Sequence, residues 1–142
     1  MQIVGITTVK NEIDVIEAFV RHTLAVVSRL AVLDNGSTDG TLDVLRWLQK
    51  EGLALDVVED PRPGKYQSQR MTRLMHEYAV ARWGADWIVP LDADEFLIFP
   101  EGAALLPSAP GCEAPIAMPW RSYVPHQSDD AGERNPVVRI RH

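Results

Sequence analysis

The sequence predicts an α/β protein built on a mainly parallel sheet, and two observations carry that prediction. Short apolar runs rich in β-branched residues alternate with longer segments in which apolar residues recur at helical spacing. Four such strands separated by three helices form successive βαβ units, which produce a parallel sheet with right-handed crossovers. The chain of 142 residues is long enough for one domain with a proper core.

The first strand is predicted over residues 2–9, and a helix follows it. Asn11 is a plausible N-cap for this helix, because its side chain can accept a hydrogen bond from a free backbone N–H. The apolar positions that recur along the helix are Ile13, Ile16, Val20, Leu24 and Val27.

A second strand is predicted over residues 30–33 and a third over residues 55–58. Between them, the polar run at residues 34–40 precedes a helix that Ser37 or Thr38 can cap. The apolar face of this helix consists of Leu42, Leu45 and Leu48, and Gly52 is its expected stop.

A turn-rich break at residues 61–64 precedes a helix over residues 67–83 that ends at Gly84. The core face of this helix is expected to consist of Met71, Leu74, Met75 and Tyr78. The fourth strand is predicted over residues 87–91, although Pro90 cannot donate to a sheet ladder and indicates a sheet edge or a strand end.

The last third of the chain is predicted to be more irregular, with a strand over residues 116–120 and another over 137–140. The polar residues 127–136 between them are expected to be mobile. The predicted organisation is a binding domain over residues 1–120, followed by the beginning of a second region at residues 121–142.

Charge and composition exclude several classes of function. A net charge of −6 argues against non-specific nucleic-acid binding, and no apolar run approaches the ~20 residues of a transmembrane helix. The single cysteine, Cys112, fits a reducing compartment, so a cytoplasmic location is expected. The five cations between Arg62 and Arg82 are either part of a mixed surface or partners of an anionic ligand.

An acidic motif follows the fourth strand. Asp92 and Asp94 lie between two apolar runs, where ionised carboxylates cost several kcal/mol each unless something compensates. In an extended chain the two side chains point to the same side, ~7 Å apart along the backbone. Hard oxygen donors in this arrangement suit Mg²⁺ or Mn²⁺, although a strand end emerging into water explains them as well.

Two further polar segments follow the first and second strands. Residues 8–12, with Thr8 and Lys10, pass from a strand into a helix N-terminus, a place suited to anions. Asp34 can accept a hydrogen bond from a nucleobase N–H, or the run that it begins can serve only as a turn and cap. Because ligands collect at the carboxyl ends of parallel strands, all three segments are expected to form one site.

The order of these motifs resembles the family 2 glycosyltransferases of GT-A fold, over roughly residues 1–120. The motifs are VKNE at residues 9–12, LDNGSTDGT at residues 33–41, and WIVPLDADEFLIF at residues 87–99. The likeness is greatest to the bacterial subgroup that carries VKNE and DADEF together. It implies a Rossmann-like nucleotide-sugar-binding fold that is apparently truncated at its C-terminus.

The resemblance also implies a function, a cofactor and a set of site residues. A nucleotide-diphosphate sugar, with UDP preferred, would donate its sugar to an acceptor hydroxyl with inversion and with Mn²⁺ or Mg²⁺ bound. Thr8 and Lys10 would lie at the nucleoside, Asp34 at the base, Asp92 near the ribose and metal, and Asp94 on the metal itself. For Lys65 and Arg70, donor binding and a structural role are equally open.

The resemblance leaves the catalytic base unassigned. Family members usually exceed 200 residues, and their second half supplies the acceptor site and the base. The acidic residues near the site are Glu95, Asp129, Asp130 and Glu133, and none lies in a defensible motif. The base is therefore expected beyond residue 142, and the alternative function is a nucleotide-sugar-binding module without catalysis. A phosphohydrolase of the haloacid-dehalogenase type is disfavoured, because Phe96 stands where that motif needs a hydroxyl.

Overall fold

The structure is a computed structural model that describes residues 1–64, 66–98, 118–119, 121–122, 124, 126–133 and 136–140. The chain divides into two compact units, Met1–Leu97 and Ile98–His142. This division precedes the boundary predicted at residue 120, and most of the intervening residues lie outside the described part, so that boundary stays a prediction.

The first unit contains a four-stranded sheet of β1 (Ile3–Val9), β2 (Arg29–Asp34), β3 (Leu55–Glu59) and β4 (Trp87–Pro90). All pairings are parallel, and the spatial order is β3-β2-β1-β4. The predicted parallel α/β architecture is therefore confirmed. The direction of strand addition reverses between β1 and β4, and such a switch point is where open α/β sheets bind ligands.

Helices cover both faces of the sheet. Val4 and Ile6 of β1 belong to a buried cluster with Leu74 and Ala79, which come from the helix between β3 and β4. On the opposite face of β1, a Cβ added to Gly5 would lie 2.9 Å from Leu30 Cδ1 of β2 and 3.4 Å from Thr23 Cγ2 of α1 (Ile16–Leu24). Glycine at this position therefore permits the close approach of α1 to the sheet.

α1 begins later than the sequence predicts. Asn11 is not its N-cap: the cap position is Val15, and no side chain within the described residues caps the first turn. Asn11 instead has a positive φ of 59° and ends the first strand in a bend. The predicted core residues Ile16, Val20 and Val27 are buried, whereas Ile13, which precedes the helix, is 44% exposed.

α2 (Thr41–Lys50) follows the polar run after β2. The prediction that Ser37 or Thr38 caps it is wrong, because the N-cap is Gly40 with a φ of 104°. Leu45 and Leu48 are fully buried as predicted, whereas Leu42 is only partly buried. Gly52, with a φ of 96°, follows the last turn in the left-handed conformation expected of a helix stop.

The helix predicted over residues 67–83 changes character along its length. It is α-helical as α3 (Gln67–Arg73) and π-helical over Leu74–Val80. Hydrogen bonds to the residue five positions earlier, which define a π-helix, continue to the helix end, where the Trp83 N–H donates to the Tyr78 carbonyl over 3.1 Å. The predicted core face is confirmed, because Leu74 is fully buried and the other three side chains pack partly buried against the core: Met71, Met75 and Tyr78.

Pro90 is compatible with its strand because β4 lies at one edge of the sheet that the structure describes and Pro90 is its last residue. The next residue, Leu91, resumes the pairing by donating its N–H to the Ile6 carbonyl over 3.0 Å. The strand is therefore one residue shorter than predicted.

The second unit contains a short helix, α4 (Pro136–Arg139), among its described residues. The strand predicted over residues 137–140 is therefore wrong, since these residues form a helical turn. Of the strand predicted over 116–120, only residues 118 and 119 are described, and they are not in a strand. No helix among the described parts of the chain is long and apolar enough to cross a membrane.

Candidate functional site

The carboxyl ends of three strands are level with one another. Val9, Asp34 and Glu59 are register partners across β1, β2 and β3, so residues 10, 35 and 60 leave the sheet side by side. On the other side of β1, Pro90 pairs with Ile6, and the acidic motif begins two residues after Pro90, as Thr8 stands two residues after Ile6. The topology thus brings the three predicted segments together at the edge of the sheet formed by the carboxyl ends of the strands.

Asp34 is held at this edge with one oxygen satisfied and one free. The residue is only 2% exposed, and its Oδ2 accepts the backbone N–H groups of Gly36 and Ser37, both over 3.0 Å. Its Oδ1 is buried and has no hydrogen-bond partner among the described residues. An unpaired buried carboxylate oxygen is costly, so a ligand that donates a hydrogen bond to it would be favoured.

The loop after β1 and the loop after β2 are tied together by two sets of hydrogen bonds. Asn11 donates its N–H to Ser37 Oγ over 2.9 Å, and its Oδ1 accepts the N–H of Thr38 over 2.8 Å. The amide acceptor that the sequence assigns to a helix cap is therefore used between loops.

The second set centres on Asp39 and Thr41. Asp39 Oδ2 accepts the N–H of Ile13 over 3.1 Å, and its Oδ1 accepts the Thr41 hydroxyl over 2.6 Å. The Thr41 oxygen in turn accepts the N–H of Glu12 over 2.8 Å. The hydrogen bond from Thr41 holds the pKa of Asp39 below its usual value, which keeps this carboxylate ionised. We call these contacts of Asn11, Ser37, Thr38, Asp39 and Thr41 the interloop clamp.

The charges of the acidic motif affect the ionisation of Glu12, which lies in the loop after β1. Burial raises the pKa of Glu12, and the charges of Asp14, Asp94, Asp39 and Asp92 raise it further, in that order after burial. From the sequence, Glu12 is identified only as part of the loop after β1. The missed signal was the number of carboxylates, which cannot be seen to converge until the fold is known.

Thr8 and Lys10 stand where the sequence predicts. Thr8 is the penultimate residue of β1 and is partly buried, whereas Lys10 is exposed one residue after the strand end. An exposed ammonium at this edge can move freely toward an anion. The donor-binding role of both residues stays a prediction.

Asp92 and Asp94 are carried by a turn and not by the extended chain that the sequence predicts. Glu95 N–H donates to the Asp92 carbonyl over 3.0 Å, which closes a four-residue turn. Both carboxylates are exposed, while Leu91 and Ala93 are each 5% exposed and anchor the turn. The burial cost argued from the apolar flanks therefore does not apply to them, since water solvates both groups.

The donor set is compatible with a divalent cation that also takes ligands from its substrate. Within the described ranges, no three His, Cys, Asp or Glu side chains cluster closely enough to hold a metal by themselves. Mg²⁺ is commonly bound by one or two carboxylates together with water and substrate phosphates, and Asp92 and Asp94 supply that number. The metal assignment stays a prediction, and the residues present fit it.

Arg70 lies in a buried polar cluster after β3. It is 2% exposed, and its Nε donates to Asp60, which is 4% exposed, over 3.4 Å. Its remaining nitrogens donate to the backbone carbonyls of Asp60, Arg62 and Gly64 over 3.3, 2.6 and 3.4 Å. In this arrangement the guanidinium holds residues 60–64, so the structural role left open by the sequence accounts for its contacts. Lys65 lies outside the described residues.

Asp60 is a second residue that sequence reasoning missed. Two hydrogen bonds from the Arg62 guanidinium, over 2.7 and 2.6 Å, hold the pKa of Asp60 well below its usual range. The Asp60 N–H donates to the Asp34 carbonyl over 2.9 Å, and Pro61 lies against Gly36. The loop after β3 therefore supports the loop that carries Asp34. Its position directly after the third strand was the available signal.

Comparison with known proteins gives a family and a structural relative. The family model described as Glycosyl transferase family 2 matches residues 6–100. A solved structure, the mannosyltransferase PcManGT from Pyrobaculum calidifontis in complex with GDP-Man and Mn²⁺, is similar with a TM-score of 0.52 and 27% sequence identity. A search of curated proteins found no significant match.

The likeness to the mannosyltransferase covers 66% of this chain and 27% of that one, so this chain spans little more than a quarter of the relative's length. It supports the predicted Rossmann-like GT-A fold over the first unit. The family match covers more than half of the 142 residues and includes the three strand ends described above. The chain therefore belongs to glycosyl transferase family 2.

Proposed function

We propose that this chain binds a nucleotide-diphosphate sugar together with a divalent cation, and that it forms the donor side of a glycosyl transfer to an acceptor hydroxyl. The observation that carries the proposal is the placement of Asp34 and the Asp92–Asp94 turn at one edge of the sheet, after strands that flank β1. Neighbouring strands lie ~4.8 Å apart, so β2 and β4 are separated by about 10 Å, which a nucleoside can bridge between its base and its diphosphate.

The base would be recognised by the free oxygen of Asp34. An ionised carboxylate oxygen only accepts hydrogen bonds, so it selects bases that present a ring N–H. Uracil offers one such N–H to the single oxygen left free by Gly36 and Ser37, which favours a UDP donor. Guanine also presents ring N–H and amino donors, and the mannosyltransferase relative was solved with GDP-Man, so a GDP donor is the second candidate.

The diphosphate would lie at the acidic turn. A cation held by Asp92 and Asp94 would neutralise the charge that develops on the departing nucleoside diphosphate. Lys10 and Thr8 would supply a positive charge and a hydroxyl to the donor from the neighbouring strand end. Inversion at the sugar would need one carboxylate base on the acceptor side, and none is assigned among the described residues.

A nucleotide-sugar-binding module without catalysis is the alternative function, since no catalytic base is assigned among the described residues. The two functions share donor binding and differ in sugar transfer, so release of nucleoside diphosphate in the presence of candidate acceptors separates them. A cytoplasmic location likewise stays a prediction from the single cysteine.

The proposal is tested by thermal melting with a panel of UDP- and GDP-sugars, each with and without Mn²⁺. A ligand at 100 times its dissociation constant adds ~2.7 kcal/mol of stability, which raises the melting temperature of a domain of this size by several degrees. We expect that shift only when metal and nucleotide sugar are both present. We also expect Asp94→Ala to abolish it.

Asp86→Asn is the matched control. It removes an exposed carboxylate just before β4, at the amino ends of the strands and so away from the proposed site. The asparagine amide oxygen can still accept the Gln2 N–H that Asp86 accepts over 2.6 Å. This variant should shift as the wild type does. A shift that needs no metal, or one that Asp94→Ala retains, would contradict the site assignment.

A further inference from the structure

The turn that carries Asp92 and Asp94 is closed by two hydrogen bonds, and Glu95 makes both of them. Its backbone N–H donates to the Asp92 carbonyl over 3.0 Å. Its side-chain Oε2 accepts the Asp92 N–H over 3.1 Å. The residue at the end of the turn thus satisfies both backbone groups of the residue at its beginning.

The segment is anchored on both sides of this turn. On the strand side, Leu91 donates its N–H to the Ile6 carbonyl over 3.0 Å and buries its own side chain. On the far side, the Phe96 ring packs edge-on against Phe19 and His22 of α1, with centroid distances of 6.3 and 5.4 Å. His22 Nε2 also lies 2.6 Å from the Leu97 carbonyl oxygen.

These anchors leave the turn itself as the part that can still change shape. Asp92 and Asp94 are exposed, so the backbone of the turn is what limits the positions that their carboxylates can reach. A carboxylate pair that serves a metal needs its spacing fixed by the surrounding residues, because misplacement weakens the site. The Glu95 side chain is partly buried and is in the right place to supply that restraint.

We propose that Glu95 is a positioning residue: its side chain holds the turn in the geometry that presents Asp92 and Asp94, and it is neither a metal ligand nor the catalytic base. The role of Glu95 in holding the turn rests on the two hydrogen bonds. Its effect on metal binding rests on the proposed donor and metal site. A glutamine at this position keeps an oxygen that can accept the Asp92 N–H. An alanine does not.

The test compares Glu95→Gln with Glu95→Ala by two measurements. The first is hydrogen exchange of the Asp92 amide by NMR, which needs no ligand. We expect exchange in Glu95→Ala to be about fivefold faster than in the wild type, the factor that corresponds to one ordinary hydrogen bond. Glu95→Gln should exchange within about twofold of the wild type, because its amide oxygen still accepts that N–H.

The second measurement is Mn²⁺ binding in the presence of UDP. Electron paramagnetic resonance reports it as the loss of the signal of free Mn²⁺. It is made at 0.5 M salt, where the screening length falls to about 4 Å and the lost charge has little long-range effect. We expect Glu95→Ala to bind Mn²⁺ about fivefold more weakly, and glutamine to restore the affinity. Asp94→Ala is the reference for a lost ligand.

The outcomes separate the two proposals. If glutamine fails as alanine does, the charge of Glu95 is required and the positioning role is wrong. It is equally wrong if the Asp92 amide stays protected in Glu95→Ala. If the wild type binds no Mn²⁺ with nucleotide, the proposed function fails, and the amide exchange still decides whether Glu95 holds the turn.

Discussion

Asp34 joins a structural task and, in the proposed function, a binding task in one carboxylate. Its Oδ2 organises the loop after β2 by accepting two backbone N–H groups, and its Oδ1 stays buried without a partner among the described residues. In a low-dielectric surrounding a charge-assisted hydrogen bond is stronger than in water, and an unmade one is correspondingly expensive. The residue is therefore held in its loop by one oxygen and, in the proposed function, accepts a hydrogen bond from the nucleobase with the other.

Replacing Asp34 by asparagine separates these two tasks. The amide oxygen of Asp34→Asn can keep accepting the Gly36 and Ser37 N–H groups, while the amide nitrogen turns a donor toward the base. Hydrogen bonds to charged groups contribute ~1.5–3 kcal/mol, so we expect affinity for UDP to fall at least about tenfold. Isothermal titration with UDP and Mn²⁺ measures the loss, and circular dichroism should report an unchanged fold. Equal affinities in the two proteins would contradict base recognition by Asp34.

At the scale of elements, the interloop clamp makes the loops after β1 and β2 behave as one unit. Asn11 contributes through its conformation as well as its contacts, because a φ of 59° is strained for most residues and tolerated by asparagine. Gly40, with a φ of 104°, lets the chain turn from Asp39 into α2. The two loops can therefore meet a ligand with a fixed spacing between them.

Two substitutions of Asn11 separate conformation from contact. Asn11→Gly removes the hydrogen bond to the Thr38 N–H but accepts the positive φ, so we expect a loss of about 1 kcal/mol in the free energy of unfolding. Asn11→Ala adds the cost of a left-handed alanine, ~1 kcal/mol or more, for a total of about 2 kcal/mol. Urea unfolding compares the two, and equal losses would mean that the backbone strain contributes nothing.

The elements show what the sequence could and could not reveal. All four strands and the parallel sheet follow from local apolar patterns, and the location of Asp34, Asp92 and Asp94 just at or after the carboxyl ends of strands follows from those strand predictions. The interloop clamp does not follow from local patterns, because its partners are 26 to 29 residues apart. The side chain of Asn11 is chemically suited to capping a helix, but its oxygen instead accepts the N–H of Thr38 in the loop after β2.

At the scale of the whole molecule, carboxylates that accept hydrogen bonds in the folded state make the free energy of unfolding depend on pH. The Arg62, Thr41 and Arg21 side chains lower the pKa values of Asp60, Asp39 and Glu51 respectively. Each of these contributions is complete above the unfolded pKa of ~4 and is lost as the pH falls through the lower folded value. Glu12 acts in the opposite sense, because its folded pKa is raised and its ionisation at higher pH opposes folding.

We therefore expect stability to decrease on acidification from pH 6 to below the usual carboxyl range, since three lowered pKa values oppose one raised value. Asp60→Asn should flatten this acid limb, because it removes the carboxylate with the most lowered pKa. Urea midpoints measured across this pH range test the expectation. A wild-type midpoint that rises on acidification would contradict the expectation.

Pro90 has a consequence for how the protein behaves in concentrated solution. β4 has four residues and lies at an edge of the described sheet, where unpaired backbone groups can recruit a strand from another molecule. Proline offers no N–H to such a strand, and the Trp87 N–H is already donated to the Gln2 carbonyl inside the sheet, so few amide donors of β4 face outward. Within the described sheet, the residue that ends β4 before the acidic turn therefore also disfavours pairing with a strand of another molecule at that position.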